Sequence, residues 1–118
     1  MARIHLEGAG DTVKLFDRVV DDICENVGGQ LIEKSQKDIN DVKVLIMVFD
    51  KYYLRSSTQV TATVVMVNVD DYVDVEIITA GAGDDVVFNF ASSSEDSYGE
   101  EIAEVFKEKG YQIIKERT

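Results

Sequence analysis

Between residues 42 and 90 the chain runs through four apolar, largely alternating segments, joined by connections of only a few residues. Links that short cannot carry a crossover, so each segment must lie antiparallel to the next. The segments are residues 42–54, 58–69, 72–80 and 86–90, rich in valine, threonine and isoleucine. Ser56-Ser57, Asp70-Asp71 and Gly81-Ala82-Gly83-Asp84 supply the turn chemistry between them. An antiparallel meander is therefore the backbone of any fold this chain can adopt.

Side chains alternate across a strand, so turn lengths decide which residues share a face. With Arg55 to Ser57 as a three-residue turn, Val48 faces Val64 and Ile46 faces Met66. With Asp70-Asp71 as a two-residue turn, Met66 faces Val75 and Val64 faces Ile77. This register places Val42, Val44, Ile46, Val48, Val60, Ala62, Val64, Met66, Val73, Val75 and Ile77 in the core, and a four-residue third turn adds Val86, Phe88 and Phe90. The opposite face then carries Lys43, Lys51, Thr61, Thr63, Asp74, Glu76, Val87 and Asn89, around an apolar group of Leu45, Met47, Phe49, Val65, Val67 and Ile78. A solvent-facing sheet surface should be mostly polar. An apolar patch larger than a few hundred Å² on such a face signals contact with something.

The flanking segments supply the layer that covers the sheet. Ile4 and Leu6 alternate with Arg3, His5 and Glu7 as a short strand, broken at Gly8-Ala9-Gly10. Asp11 is placed to cap a helix whose stripe is Val13, Phe16, Val20, Ile23 and Val27, widened by Leu15, Val19 and Cys24 and stopped at Gly28-Gly29. Residues 30–37 read as a peripheral strand, and Ile39-Asn40-Asp41 as a turn. Ser97-Tyr98-Gly99-Glu100 matches a capping box, with Ser92 and Glu95 a rival start, for a second helix. Its stripe is Tyr98, Ile102, Val105 and Phe106, and Gly110 ends it. Residues 111–114 form a terminal strand or a docked tail. The expected fold is α+β: an antiparallel β-sheet of five to six strands with two helices packed on one face, in the order β-α-β-β-β-β-β-α, over a single domain of residues 1–118.

Charge and composition narrow the partners. Twenty-three acidic against 12 basic residues give a formal net charge of −11, which repels phosphates, and no lysine or arginine cluster offsets it locally. Nucleic acid is accordingly not an expected partner. The longest apolar run, residues 44–49, is far short of the ~20 residues that span a bilayer, so no membrane association is expected. The amino-terminal residues interrupt any hydrophobic stretch with charge, unlike a signal peptide. A single cysteine excludes an internal disulfide and a cysteine-rich zinc site, and fits a reducing, cytoplasmic location.

Catalytic signatures are sparse. His5 is the sole histidine; its parity, opposite to Ile4 and Leu6, allows it to share a face with Asp74, Glu76 and Thr63, where a His–carboxylate pair can move a proton. Cys24, inside an apolar stripe, reads as a small core residue rather than a nucleophile. Gly81-Ala82-Gly83 precedes a strand, not a helix, so it is a turn and not a dinucleotide loop. The acidic clusters Asp70-Asp71-Asp74, Asp84-Asp85 and Asp21-Asp22-Glu25 lack calcium-loop spacing. Tyr52-Tyr53-Leu54-Arg55 at the first hairpin tip reads as strand-end packing, with an interface anchor the alternative. No cofactor and no metal site is expected.

Two resemblances attach to these residues. Val48-Phe49-Asp50-Lys51-Tyr52-Tyr53 with the valine/threonine strand after it, then Ile77-Ile78-Thr79-Ala80-Gly81-Ala82-Gly83, Val87-Phe88-Asn89-Phe90 and Gly99-Glu100, resemble small single-domain bacterial proteins of unknown function. The order of strands and helices resembles the TATA-binding-protein-like arrangement, which implies topology and no activity. The expected role is a non-enzymatic binding module that uses the open sheet face through Leu45, Met47, Phe49, Val65, Val67 and Ile78. The occupant of that face is a second copy in a homodimer, a small apolar ligand, or a segment of the chain itself. The alternative is a metabolite-binding protein or enzyme with a pocket near His5, Thr63, Asp74 and Glu76.

Overall fold

The computed structural model describes residues 2–10, 12–54, 57–82 and 90–117. In chain order the elements are β1 (Ala2–Ala9), α1 (Thr12–Asp22), a π-helical turn (Ile23–Val27), β2 (Gln30–Ile39), β3 (Val42–Tyr53), β4 (Thr58–Val69), β5 (Tyr72–Ala82), α2 (Phe90–Glu108) and β6 (Gln112–Arg117). The strands form one antiparallel sheet in the order β2-β3-β4-β5-β1-β6. The fold is α+β, as the element pattern required.

The hairpins follow their turn residues. Asn40 (φ 47°) and Asp41 (φ 69°) join β2 to β3. Positive φ at both central residues is the twist-matched hairpin turn that asparagine and aspartate tolerate. Val69 pairs with Tyr72 across Asp70 (φ 54°) and Asp71, so β4 and β5 keep the expected register, Val64 to Ile77. Asn68, buried behind this turn, donates from Nδ2 to the carbonyls of Gly10, Asp70 and Tyr72, each at 3.1 Å.

The first hairpin departs from expectation by one residue. Tyr53 pairs with Thr58, so the connection is residues 54–57, not a three-residue turn beginning at Arg55. A one-residue slip turns a whole strand over. Leu45, Met47 and Phe49 therefore lie in the core at 1%, 0% and 0% exposure, beside Val60, Ala62, Val64, Met66, Val73, Val75 and Ile77. Val44, Ile46 and Val48, expected inside, stand half-buried on the open face.

The expected fourth strand, residues 86–90, lies outside the described residues except at Phe90. Phe90 itself begins α2 rather than ending a strand. The edge of β5 that such a strand would pair is occupied by β1, from Ala2 opposite Thr79 to Ala9 opposite Tyr72. Both proposed caps, Ser92 and Ser97, consequently sit inside the helix. Residues 112–117, expected over 111–114 as a terminal strand or a docked tail, form β6 on the far side of β1.

Both helices bury their stripes on the same sheet face. Val19, Ile23 and Val27 from the first helical segment meet Tyr98, Ile102, Ala103, Val105 and Phe106 of α2 in one core, with Leu15, Val20 and Cys24 packed at its margin. Gly28 (φ 94°) ends the π turn, donating to the Ile23 carbonyl at 3.0 Å. Gly29 (φ 89°) then passes so close to β3 that a Cβ there would stand 2.3 Å from the Asp50 carbonyl oxygen and 2.9 Å from the Tyr98 hydroxyl, a place only glycine fits. β2 lies beyond this helix layer: residues 32–39 are all exposed.

Candidate binding face

The sheet surface opposite the helices has two halves of different chemistry. On β3 and β4 it is apolar: Ile46 stands opposite Val65 and Val44 opposite Val67. Thr63, opposite Val48 on one side and Ile78 on the other, bridges this group to β5. Of the residues expected to make the patch, Val65, Val67 and Ile78 are on the open face. Leu45, Met47 and Phe49 are not, and Val44, Ile46 and Val48 take their places. Each of these is already partly shielded by its sheet neighbours.

On β5, β1 and β6 the same face is polar and internally paired. Arg3 donates from Nε and Nη2 to Glu76 Oε2, at 3.0 and 2.5 Å. His5 Nε2 pairs with Asp74 Oδ1. The Tyr72 hydroxyl donates to Glu7 Oε2 at 2.7 Å. That bond to Glu7 holds the phenol protonated and pushes its pKa up to about 12. Lys115 of β6 stands opposite His5. A shallow cavity of about 290 Å³ opens here, lined by Arg3, His5, Glu76 and Lys115.

His5, Asp74 and Glu76 are therefore brought together as their parity suggested; Thr63 shares the face but stands opposite Ile78, outside that cavity lining. Arg3, Glu7, Tyr72 and Lys115 were not singled out in the sequence. Strand alternation puts Arg3 and Glu7 beside His5, but nothing local reveals that β1 lies between β5 and β6. Chemically the cluster offers one imidazole with a carboxylate partner, able to hold or pass a proton, beside two fixed cations.

The remaining candidates fall into structural roles. Cys24 packs at the core margin. Asp22 pairs with Lys109 Nζ at 2.6 Å, linking α1 to the end of α2. Asp70 and Asp71 form an exposed turn, and Asp84-Asp85 lies outside the described residues. At the hairpin tip Tyr52 and Leu54 are exposed while Tyr53 packs edge-on against Tyr98, ring centres 6.2 Å apart. No helix among the described residues is long and apolar enough to cross a membrane.

A sequence model of a protein family described as a family of unknown function, DUF6054, matches residues 1–110. The chain belongs to DUF6054. The match spans every element from β1 to α2, and only β6 lies beyond it. The resemblance carried by residues 48–53, 77–83 and 87–90 is thus to a real family, and DUF6054 brings no assigned activity. No curated protein and no solved structure matches this DUF6054 chain.

Proposed function

We propose that this chain is a non-enzymatic interaction module that binds through its open sheet face, with a second copy of itself as the partner. The observation that carries the reading is the apolar group of Val44, Ile46, Val48, Val65, Val67 and Ile78 on the face the helices leave uncovered. On its polar border Arg3 and Glu76 are already ion-paired and His5 meets Asp74 within the chain, which lowers the cost of bringing two such faces together. Three strands about 4.8 Å apart and a run of about five residues of about 3.3 Å each give roughly 240 Å² of flat apolar face. Stable dimers bury about 800 Å² per partner, so a weak, concentration-dependent dimer is expected. Sedimentation velocity over a range of protein concentrations tests it. Wild type should associate increasingly as concentration rises; Ile46→Asp and Val67→Asp, with native circular dichroism, should each weaken that association. A wild type that is monomeric throughout, or a dimer indifferent to both substitutions, sinks the reading.

A second reading rests on the cavity at Arg3, His5, Glu76 and Lys115: a small-molecule site, of a size at the low end of ligand pockets. Thermal-shift measurements on the same samples with small carboxylate metabolites separate the two. A rise in midpoint that His5→Ala and Lys115→Ala abolish supports the small-molecule site.

A further inference from the structure

The β2 edge is the least accounted-for part of the molecule. It is ten residues long, lies at one border of the sheet with a bulge between Leu31 and Glu33, and is exposed at every residue from 32 to 39. Long exposed edges are templates for pairing, and proteins normally shorten or cover them. Ile32 and Ile39 are 52% and 57% exposed near its two ends. In a chain of net charge −11, β2 is balanced: Glu33 and Asp38 against Lys34 and Lys37. It is a stretch where two acidic molecules can approach.

We infer that β2 pairs antiparallel with β2 of a second copy, about a two-fold axis through Ser35, so that Glu33 of each chain faces Lys37 of the other. This contact uses the backbone edge rather than the sheet face and goes beyond the function proposed above.

Two observations select the register. The first is hydrogen-bond phase. Lys34 donates its backbone N–H to the side chain of its neighbour Glu33, at 3.1 Å, so that N–H points away from β3. In an extended strand the outward groups recur every second residue, which makes residues 34, 36 and 38 the outward set. Outward residues must pair with outward residues, so only even registers are allowed.

The second is charge. Setting residue 34 opposite residue 34 puts two lysines together. Setting 36 opposite 36 shortens the ladder and places Glu33 against Ile39. Setting 35 opposite 35 keeps a ladder as long as that of the 34 register, over residues 31–39, and gives two Glu33–Lys37 pairs. Both members of each pair lie on the open face, since Glu33 stands opposite Val48 and Lys37 opposite Val44. The two-fold also brings the Ile32 end of one strand beside the Ile39 end of its partner. Because the axis is normal to the sheet, both copies present their open faces on the same side, and the apolar half of each is continuous with the joint.

Cross-linking and charge reversal together test this on the full chain. Opposite residues in a non-hydrogen-bonded antiparallel pair stand about 4.5 Å apart at Cα, within disulfide range. In a Cys24→Ala background, Ser35→Cys should oxidise to a covalent dimer on a non-reducing gel. Thr63→Cys in the same background reports contact through the sheet face. A link at 35 supports the edge joint, whether or not 63 also links. A link at 63 alone overturns the edge joint and leaves the face reading standing, and no link at 35 overturns the edge joint in any case. In sedimentation, Glu33→Lys and Lys37→Glu should each weaken association about tenfold, through two repulsive cross-strand pairs. The double reversal should restore it. Failure of the double reversal to restore association overturns the register.

Discussion

Phe49 and Val48 are neighbours with opposite fates, and the difference is set by the connection at residues 54–57. Phe49 is fully buried, against core residues of β4 and the helices, while Val48 stands on the open face. Phe49→Ala should cost about 3–5 kcal/mol of unfolding free energy, the usual range for a phenylalanine cavity in a packed core. Val48→Ala, on a face already partly wet, should cost much less; urea denaturation of the two variants measures the contrast. Equal losses would mean the strand is turned the other way. The parity of β3 was not legible because Leu45, Met47 and Phe49 are as apolar as Val44, Ile46 and Val48. A strand apolar on both sides leaves only turn length to choose between faces, and residues 54–57 carry no glycine or asparagine to mark it. On β5, by contrast, Asp74 and Glu76 alternate with Val73, Val75 and Ile77, so its face was plain.

Among elements, Lys51 adds a polar tie between the helices and the sheet to their shared apolar core. From the end of β3 its ammonium donates to the Val27 carbonyl at 2.6 Å, lies 3.4 Å from Glu101 of α2, and stands 4.9 Å from the centre of the Tyr53 ring. It thus satisfies the last carbonyl of the π turn and ties that turn to both sheet and helix. Lys51→Met keeps the aliphatic stem and loses these contacts. We expect a loss of about 1–3 kcal/mol in urea unfolding, the range for a charged hydrogen bond and the acceptor left unmet; an unchanged midpoint would show that the ammonium contributes nothing. Elements with a single strong period were readable in advance. The stripes Val19-Ile23-Val27 and Tyr98-Ile102-Phe106 fall every three or four residues, and glycines end both helical segments. The order of strands was less so: β1 shows its alternation, yet its place between β5 and β6 depends on contacts far away in sequence. The polar cluster was half visible for the same reason. His5, Asp74 and Glu76 were legible by parity; Lys115, supplied by the far edge, was not.

For the whole molecule, the clearest expectation concerns alkali. The hydroxyls of Tyr53, Tyr98 and Tyr111 are buried with no hydrogen-bond partner among the described residues. Burial pushes the pKa of Tyr53 and of Tyr111 up to about 12, and that of Tyr98 further in the same direction. An unfolded tyrosine ionises near pH 10. A group whose folded pKa lies above its unfolded one stabilises the fold below the unfolded value, and that contribution is lost as pH rises through the folded value. Stability should therefore hold up to about pH 10 and fall steeply between about 10 and 12. Of the five tyrosines, the three buried ones should ionise only as circular dichroism is lost. Tyrosinate absorbance amounting to all five with the fold intact would show these phenols open to water.

The position of β1 has a consequence for how the molecule comes together. Ile4 pairs with Ile77 on one side and with Glu116 on the other, so the earliest strand in the sequence waits for the latest ones. The meander β2–β5 can zip up from neighbour to neighbour, while β1 must be held loose until β5 exists and is locked only when β6 arrives. Distant pairings of this kind slow folding. β1 thus gains one neighbour only once β5 is made and the other only with β6, whose six residues act as a latch on its second edge.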